Sequence, residues 1–127
     1  VLATASRTSL LEACHRLTER SVCVIGSLKD RKTEVNKIYS NDADIVYGSE
    51  NIWAEGISVN SLSCLILTTP MNNEPRLEQI IGRVTRKMEG KIQPVVVDIR
   101  HGGNTAFVQG QLRDGYYLDK GYQIIDV

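Results

Sequence analysis

The sequence has no surplus of charge: 15 Lys and Arg stand against 15 Asp and Glu in 127 residues. That balance counts against a domain that grips nucleic acid by bulk electrostatics, though not against one that makes a few placed phosphate contacts. Cysteine is scarce. Cys14, Cys23 and Cys64 form no CxxC pair, and an odd, unpatterned set argues against a disulfide framework. Their mostly apolar neighbours suggest buried free thiols in a reducing compartment. No apolar run approaches the roughly 20 residues that span a membrane. There is no basic-then-apolar leader, so a soluble, intracellular protein is expected. The first strand–turn–helix carries no GxGxxG, which argues against a dinucleotide site, and no Gly-x-Ser-x-Gly accompanies the two histidines. A GxxxxGK[ST] phosphate loop and an Asp-Glu pair after an apolar strand are also absent.

What is present describes an ordinary globular domain, 42% hydrophobic and 24% charged. A chain of this size favours one domain that needs no metal or disulfide staple. Apolar, β-branched runs alternate with helical patterns. Strands are expected at Val1 to Ala5, Ser21 to Ile25, Ala43 to Tyr47, Ser63 to Thr69 and Pro94 to Ile99, with a last one at Tyr122 to Val127. Gly26-Ser27 and Gly48-Ser49 are read as the turns that close two of them. Helices are expected from an N-cap at Ser6 through Leu17, over Lys29 to Tyr39, over Glu74 to Met88 and from Thr105 to about Leu118, with one short turn at Asn51 to Glu55. Strands separated by helices imply right-handed crossovers and a doubly wound, mostly parallel α/β sheet covered on both faces. Ligands in such sheets collect beyond the carboxyl ends of the strands. The chain opens in mid-strand, at Val1-Leu2-Ala3-Thr4, which marks it as a fragment of a longer protein.

One stretch stands out: Gln79-Ile80-Ile81-Gly82-Arg83-Val84-Thr85-Arg86. Spacings of four and three put Gln79, Arg83 and Arg86 on one helix face. The planar donor forks of two arginines suit a phosphate chain and cannot lose their charge; an arbitrary pair of arginines is more often a solvated face. Gly82 costs about 1 kcal/mol relative to Ala in a helix interior, so something needs close approach there.

Gln79-x-x-Gly82-Arg83-x-x-Arg86 resembles motif VI of superfamily 2 helicases. The resemblance implies that Arg83 and Arg86 reach the γ-phosphate of ATP, one as an arginine finger, and that Gln79 contacts the phosphates or links to the hydrolytic machinery. Ser49-x-x-x-x-Ala54-Glu55-Gly56-Ile57-Ser58 resembles motif V. It implies a nucleotide edge at Glu55, Gly56 and Ser58, with Gly82 nearby, and a nucleic-acid backbone contact at Ser49. Family members usually carry an acid where Ser58 stands. Gly56 read alone is a helix C-cap. Thr4-Ala5-Ser6-Arg7 resembles motif IV, and Gly26-Ser27 the loop after the second strand. Ser6, Arg7, Gly26 and Ser27 are thereby implied in backbone contacts.

The resemblance covers roughly Val1 to Ile99 and is closest to phage, large-DNA-virus and repair-type helicases. Motif VI lacks the His-Arg opening and the Thr-Gly pair of DEAD-box proteins. It implies a single second RecA-like domain over 1–127, of P-loop NTPase type without the phosphate loop, in an ATP-dependent helicase or translocase. ATP and Mg2+ would be held mainly by a first RecA-like domain outside this chain, leaving the isolated domain inactive. The implied partners are that domain and nucleic acid, DNA rather than RNA, in the cytoplasm, the nucleus or a viral replication site. The rival reading is a degenerate RecA-like domain acting as a non-catalytic docking module for protein or nucleic acid, or an unrelated nucleotide-binding domain. Outside the motifs, His15 is expected as a partly exposed helix residue, His101 as part of a turn and Trp53 as packing. Tyr116, Tyr117 and Tyr122 are expected to seal the end of the domain.

Overall fold

A computed structural model describes residues 1–5, 7–26, 31–49, 59 and 61–127. The elements run β1 (Leu2–Ala5), α1 (Thr8–Arg16), β2 (Ser21–Val24), α2 (Lys32–Tyr39), β3 (Ile45–Ser49), β4 (Cys64–Leu67), α3 (Glu74–Val84), β5 (Val95–Asp98) and α4 (Asn104–Asp119). The five strands form one sheet in the order β2-β3-β1-β4-β5, and every pairing is parallel. This is the expected doubly wound α/β architecture.

β1 is the central strand, and all four of its residues are buried. A strand covered on both faces has no polar side to present, which is why Leu-Ala-Thr-Ala shows no apolar–polar alternation. Side chains of successive strand residues point to opposite faces. Leu2, Val22, Val24, Val46, Leu65 and Leu67 therefore share one face, where they pack with Ile38 of α2, Leu77, Ile80, Ile81 and Val84 of α3, and Tyr116 and Tyr117 of α4. The other face holds the smaller cluster of Ala5, Cys23 and Leu11 of α1, with Ile25 and Tyr47 against it. α3 starts as its sequence directs: the Asn73 side chain accepts a hydrogen bond from the Arg76 amide at 3.1 Å, and Pro75 lies in the first turn.

Several expectations are corrected. Gly48-Ser49 is not a turn but the end of β3, where Gly48 pairs with Thr4 and Ser49 with Ala5. Ladder bonding to the central strand outweighs the turn preference of Gly-Ser. Ala43 precedes the strand. The N-cap of α1 is Arg7, which makes no side-chain capping bond; Ser6, the expected cap, lies outside the described residues. So do Lys29 and Asp30 at the expected start of α2, and the turn at Asn51 to Glu55 with Trp53. Tyr122 to Val127 forms no strand and is exposed throughout. α3 ends at Val84, not Met88. Cys23 is buried, but Cys14 and Cys64 are only half-buried; all three are free thiols. Tyr116 and Tyr117 belong to the core, whereas Tyr122 is exposed.

Leu65 is fully buried at the sheet centre, whereas Leu17 beyond α1 is 88% exposed. Leu65→Ala is expected to lower unfolding stability by about 2–5 kcal/mol through lost transfer energy and a cavity. Leu17→Ala should leave the urea midpoint of the chain in place.

Candidate functional site

Parallel strands require each helix between sheet neighbours to carry the chain back along the sheet. α3 must therefore run from the edge where β4 ends toward the edge where β5 begins. Its buried stripe of Leu77, Ile80, Ile81 and Val84 turns the other face outward. Gln79 is exposed on that face, and Arg83, one turn further on, is half-buried. Arg86 is not on the helix. Thr85 is the C-cap, its amide donating to the Ile81 carbonyl at 3.1 Å, and Arg86 follows exposed in irregular backbone.

The two guanidinium groups are nevertheless brought near each other. Burial, and then the like charge of Arg86, push the Arg83 guanidinium below its ordinary value, against an opposing influence of Tyr39. Arginine stays cationic despite this, so the end of α3 concentrates positive charge. Tyr39 is the last residue of α2, which returns along the sheet as α3 does. Its influence agrees with an arginine pair placed toward the edge where the strands begin. Gly82, next to Arg83 in the chain, is half-buried, and an added Cβ would meet nothing within 4 Å among the described residues. No neighbour among the described residues approaches it closely, contrary to a packing explanation for this glycine.

The remaining candidates lie at the opposite edge, where the strands end. Ser49 is the last residue of β3, beside Ala5 of β1. Arg7 is exposed just past β1, and Gly26 is exposed just past β2 with φ +81°, a left-handed conformation suited to glycine. The structure thus gathers Gln79, Arg83 and Arg86 at one place and Arg7, Gly26 and Ser49 at another, and does not merge the two. Ser6, Ser27, Glu55, Gly56 and Ser58 lie outside the described residues. His101 lies in irregular backbone rather than the expected turn, since Asn104 already begins α4, and its Nε2 is 2.8 Å from the Thr68 carbonyl. His15 is half-buried, with Nδ1 2.7 Å from Ser21 Oγ.

Sequence reasoning missed two arrangements. The first is an ionic network at the end of β5. Arg113, 3% exposed, donates from Nε and Nη2 to the two Asp98 carboxylate oxygens at 2.8 and 2.9 Å, and from Nη1 to the Met71 carbonyl at 2.8 Å. Tyr117 Oη donates to Asp98 at 2.8 Å. Burial, then the charge of Asp98 and this hydrogen bond, hold the Tyr117 phenol well above its ordinary value. Arg100 pairs with Asp114 and, at 3.3 Å, with Asp98. The network ties β5 and α4 to the loop that leads into α3. A usable signal was Arg113 and Tyr117 one turn apart on the helix that follows a strand ending in Asp98. The second arrangement is Lys91, whose ammonium reaches the Val84 carbonyl at 2.6 Å and the Arg86 carbonyl at 2.7 Å.

Among the described residues no helix is long and apolar enough to cross a membrane. Nor does any group of three or more His, Cys, Asp and Glu among them stand where it could hold a metal ion.

An all-parallel sheet with helices returning along its faces defines an α/β domain of doubly wound type. The chain belongs to the helicase conserved C-terminal domain family, whose pattern it matches over residues 1–88. It is 37% identical over 131 residues to "Probable helicase D10" of Escherichia phage T5, covering 98% of this chain and 29% of that protein. It is 29% identical over 101 residues to L396 of Acanthamoeba polyphaga mimivirus, a protein named as an ATP-dependent RNA helicase, covering 79% of this chain and 18% of that protein. The chain thus spans less than a third of the length of each of these relatives. Among solved structures, the C-terminal part of the Fun30 ATPase domain superposes with a TM-score of 0.68 at 18% identity, covering 87% of this chain and 38% of that chain. That likeness bears out the RecA-like fold, and the viral relatives bear out the family resemblance.

The buried ion pair gives the first test of the site's scaffold. Removing Arg113 takes both of its guanidinium hydrogen bonds from the Asp98 carboxylate, 10% exposed, and leaves it only Tyr117 Oη and the longer contact with Arg100 among the described residues. Arg113→Ala is expected to cost about 3–5 kcal/mol in chemical denaturation. Arg20→Ala, which breaks the exposed pair with Asp44, should not move the transition measurably.

Proposed function

We propose that the chain is the second of two RecA-like domains in an ATP-dependent superfamily 2 helicase or translocase. The observation that carries this reading is that Gln79 and Arg83 share the outward face of α3, with Arg86 just past the helix end and its charge acting on Arg83. The planar donor forks of the two guanidinium groups suit the oxygens of a polyphosphate. A first domain holds ATP and Mg2+, and closure of the cleft brings the pair onto the γ-phosphate. There Arg86 stabilises charge developing in phosphoryl transfer, Arg83 binds the phosphate chain, and Gln79 positions it. Glu55, Gly56 and Ser58 form the ribose side of the nucleotide, and Gly82 leaves α3 clear for the facing domain.

Nucleic acid binds the other edge, through its backbone, at Ser6, Arg7, Gly26, Ser27 and Ser49. The separation of the two surfaces supports this division: nucleotide-driven opening and closing moves one edge, and the strand tracks along the other. DNA is the proposed substrate, on the form of motif VI. The name of the mimivirus relative points to RNA for that protein, so binding and unwinding assays with matched DNA and RNA duplexes decide the matter. A degenerate docking module would be expected to lose the arginines, and this chain keeps both.

Two variants of the full-length protein test the reading. Arg86→Ala should lower kcat for ATP by about 10³-fold or more while nucleic-acid binding persists; wild-type turnover would sink the proposal. Gly82→Ala makes a more discriminating prediction. By helix propensity it should stabilise this domain by up to about 1 kcal/mol, because the new methyl meets open space. The same variant should impair nucleic-acid-stimulated ATPase, because that space is where the facing domain closes. Greater stability with full activity would remove Gly82 from the site.

A further inference from the structure

We infer that Lys91 is a positioning residue for Arg86, acting through the backbone that carries it; this rests on the reading of Arg86 as an arginine finger. A finger held on a rigid helix needs no further support. Arg86 is not so held, because α3 stops at Val84. If the helix ran on, the Val84 and Arg86 carbonyls would accept from the amides of Met88 and Gly90, four residues ahead. Instead both accept from one Lys91 ammonium, at 2.6 and 2.7 Å. The chain comes back to make this possible: Gly90 turns with φ +75°, and the Lys91 amide donates to the Met88 carbonyl at 3.1 Å. Residues 84 to 91 thus form a loop closed by a lysine.

Several features make the closure specific. The carbonyls at a helix C-terminus carry partial negative charge, and a cation is favoured there. One ammonium bridging Val84 and Arg86 ties the helix end to the carbonyl of the arginine itself, so the Cα of Arg86 has little freedom to drift. Lys91 is half-buried, and burial holds its ammonium below the ordinary lysine value. Partial desolvation strengthens ionic hydrogen bonds of this kind. A neutral side chain of similar length fills the space without tying the two carbonyls together.

The test compares steady-state ATPase of full-length Lys91→Met, Lys91→Arg and Arg86→Ala with nucleic acid present. Lys91→Met is expected to lower kcat about 10- to 100-fold, the scale of an ångström-sized misplacement of a catalytic group. KM for ATP and nucleic-acid affinity should be unchanged. Lys91→Arg, which keeps a cation and several donors, should recover much of the loss. If Lys91→Met fails to fold, Lys91→Gln takes its place, with the same split between kcat and KM expected. Wild-type kcat in Lys91→Met, beside an inactive Arg86→Ala, overturns the positioning role and leaves the functional reading intact. Parallel loss of kcat, KM and nucleic-acid binding, without rescue by arginine, assigns Lys91 to stability alone and also overturns it. Full turnover in Arg86→Ala overturns the functional reading, and this inference with it.

Discussion

Parallel pairing on both sides of β1 is the constraint on which the arrangement of this domain depends. Leu2 to Ala5 bond to β3 through a four-residue register and to β4 through three of those residues. Once both neighbours run in the same direction as β1, every connection must return along a face of the sheet, and helices are the economical way to satisfy the returning backbone. The ends of the strands then present one set of loops, and the ends of the returning helices present another at the far edge. Ser49, Arg7 and Gly26 belong to the first set by strand geometry. Arg83 and Arg86 belong to the second because α3 returns. The two candidate surfaces are separate because the sheet is parallel, not because the motifs are far apart in sequence.

Much of this was legible in the residues. Val22 and Val24 alternate with Cys23 and Ile25 to opposite faces, and Leu77, Ile80, Ile81 and Val84 mark one side of α3; both periodicities survive folding. Local signals failed where long-range pairing competed with them. Gly48-Ser49 looks like a turn to any propensity argument, yet it is ladder beside Thr4 and Ala5, with Gly48 buried and Ser49 half-buried. Tyr122 to Val127 looks like a strand, yet it joins no ladder among the described residues. Strand propensity expresses fit to neighbours more than a preference of the backbone alone. The same logic hid Arg113. A charged residue in a helix reads as a surface residue until a carboxylate from β5 and a carbonyl from the loop before α3 are placed around it.

The end of α3 shows how an error in a boundary reaches function. Helical spacing put Gln79, Arg83 and Arg86 on one rigid face, and for the first two that holds. For Arg86 the spacing argument no longer applies, since Thr85 is the cap and the next residues are irregular. Helix ends are where pattern reasoning is weakest, because caps depend on donors from outside the helix. Here the donor is Lys91, beyond a glycine turn, and no periodicity connects it to Val84 or Arg86. The charge of Arg86 still acts on Arg83 although the two no longer share a helix.

Charge balance bears on the same point. The domain is neutral overall, and several cations are already matched: Arg20 with Asp44, Arg100 with Asp114, Lys120 with Glu78, Arg113 with Asp98. The exposed pairs contribute little to stability, but they cancel the far field that would otherwise draw in any polyanion. The end of α3 adds a local concentration of cations: Arg83, the charge of Arg86 that acts on it, and Lys91 on the helix-end carbonyls. A domain that is neutral overall gains little grip on a long nucleic acid from charge alone, since such binding grows with the number of phosphates neutralised. It can recognise a short, dense anion in a fixed place. On the proposed reading, local positive charge within overall neutrality suits a short phosphate chain at the arginines, and the strand-end edge would hold nucleic acid by hydrogen bonds that position rather than attract.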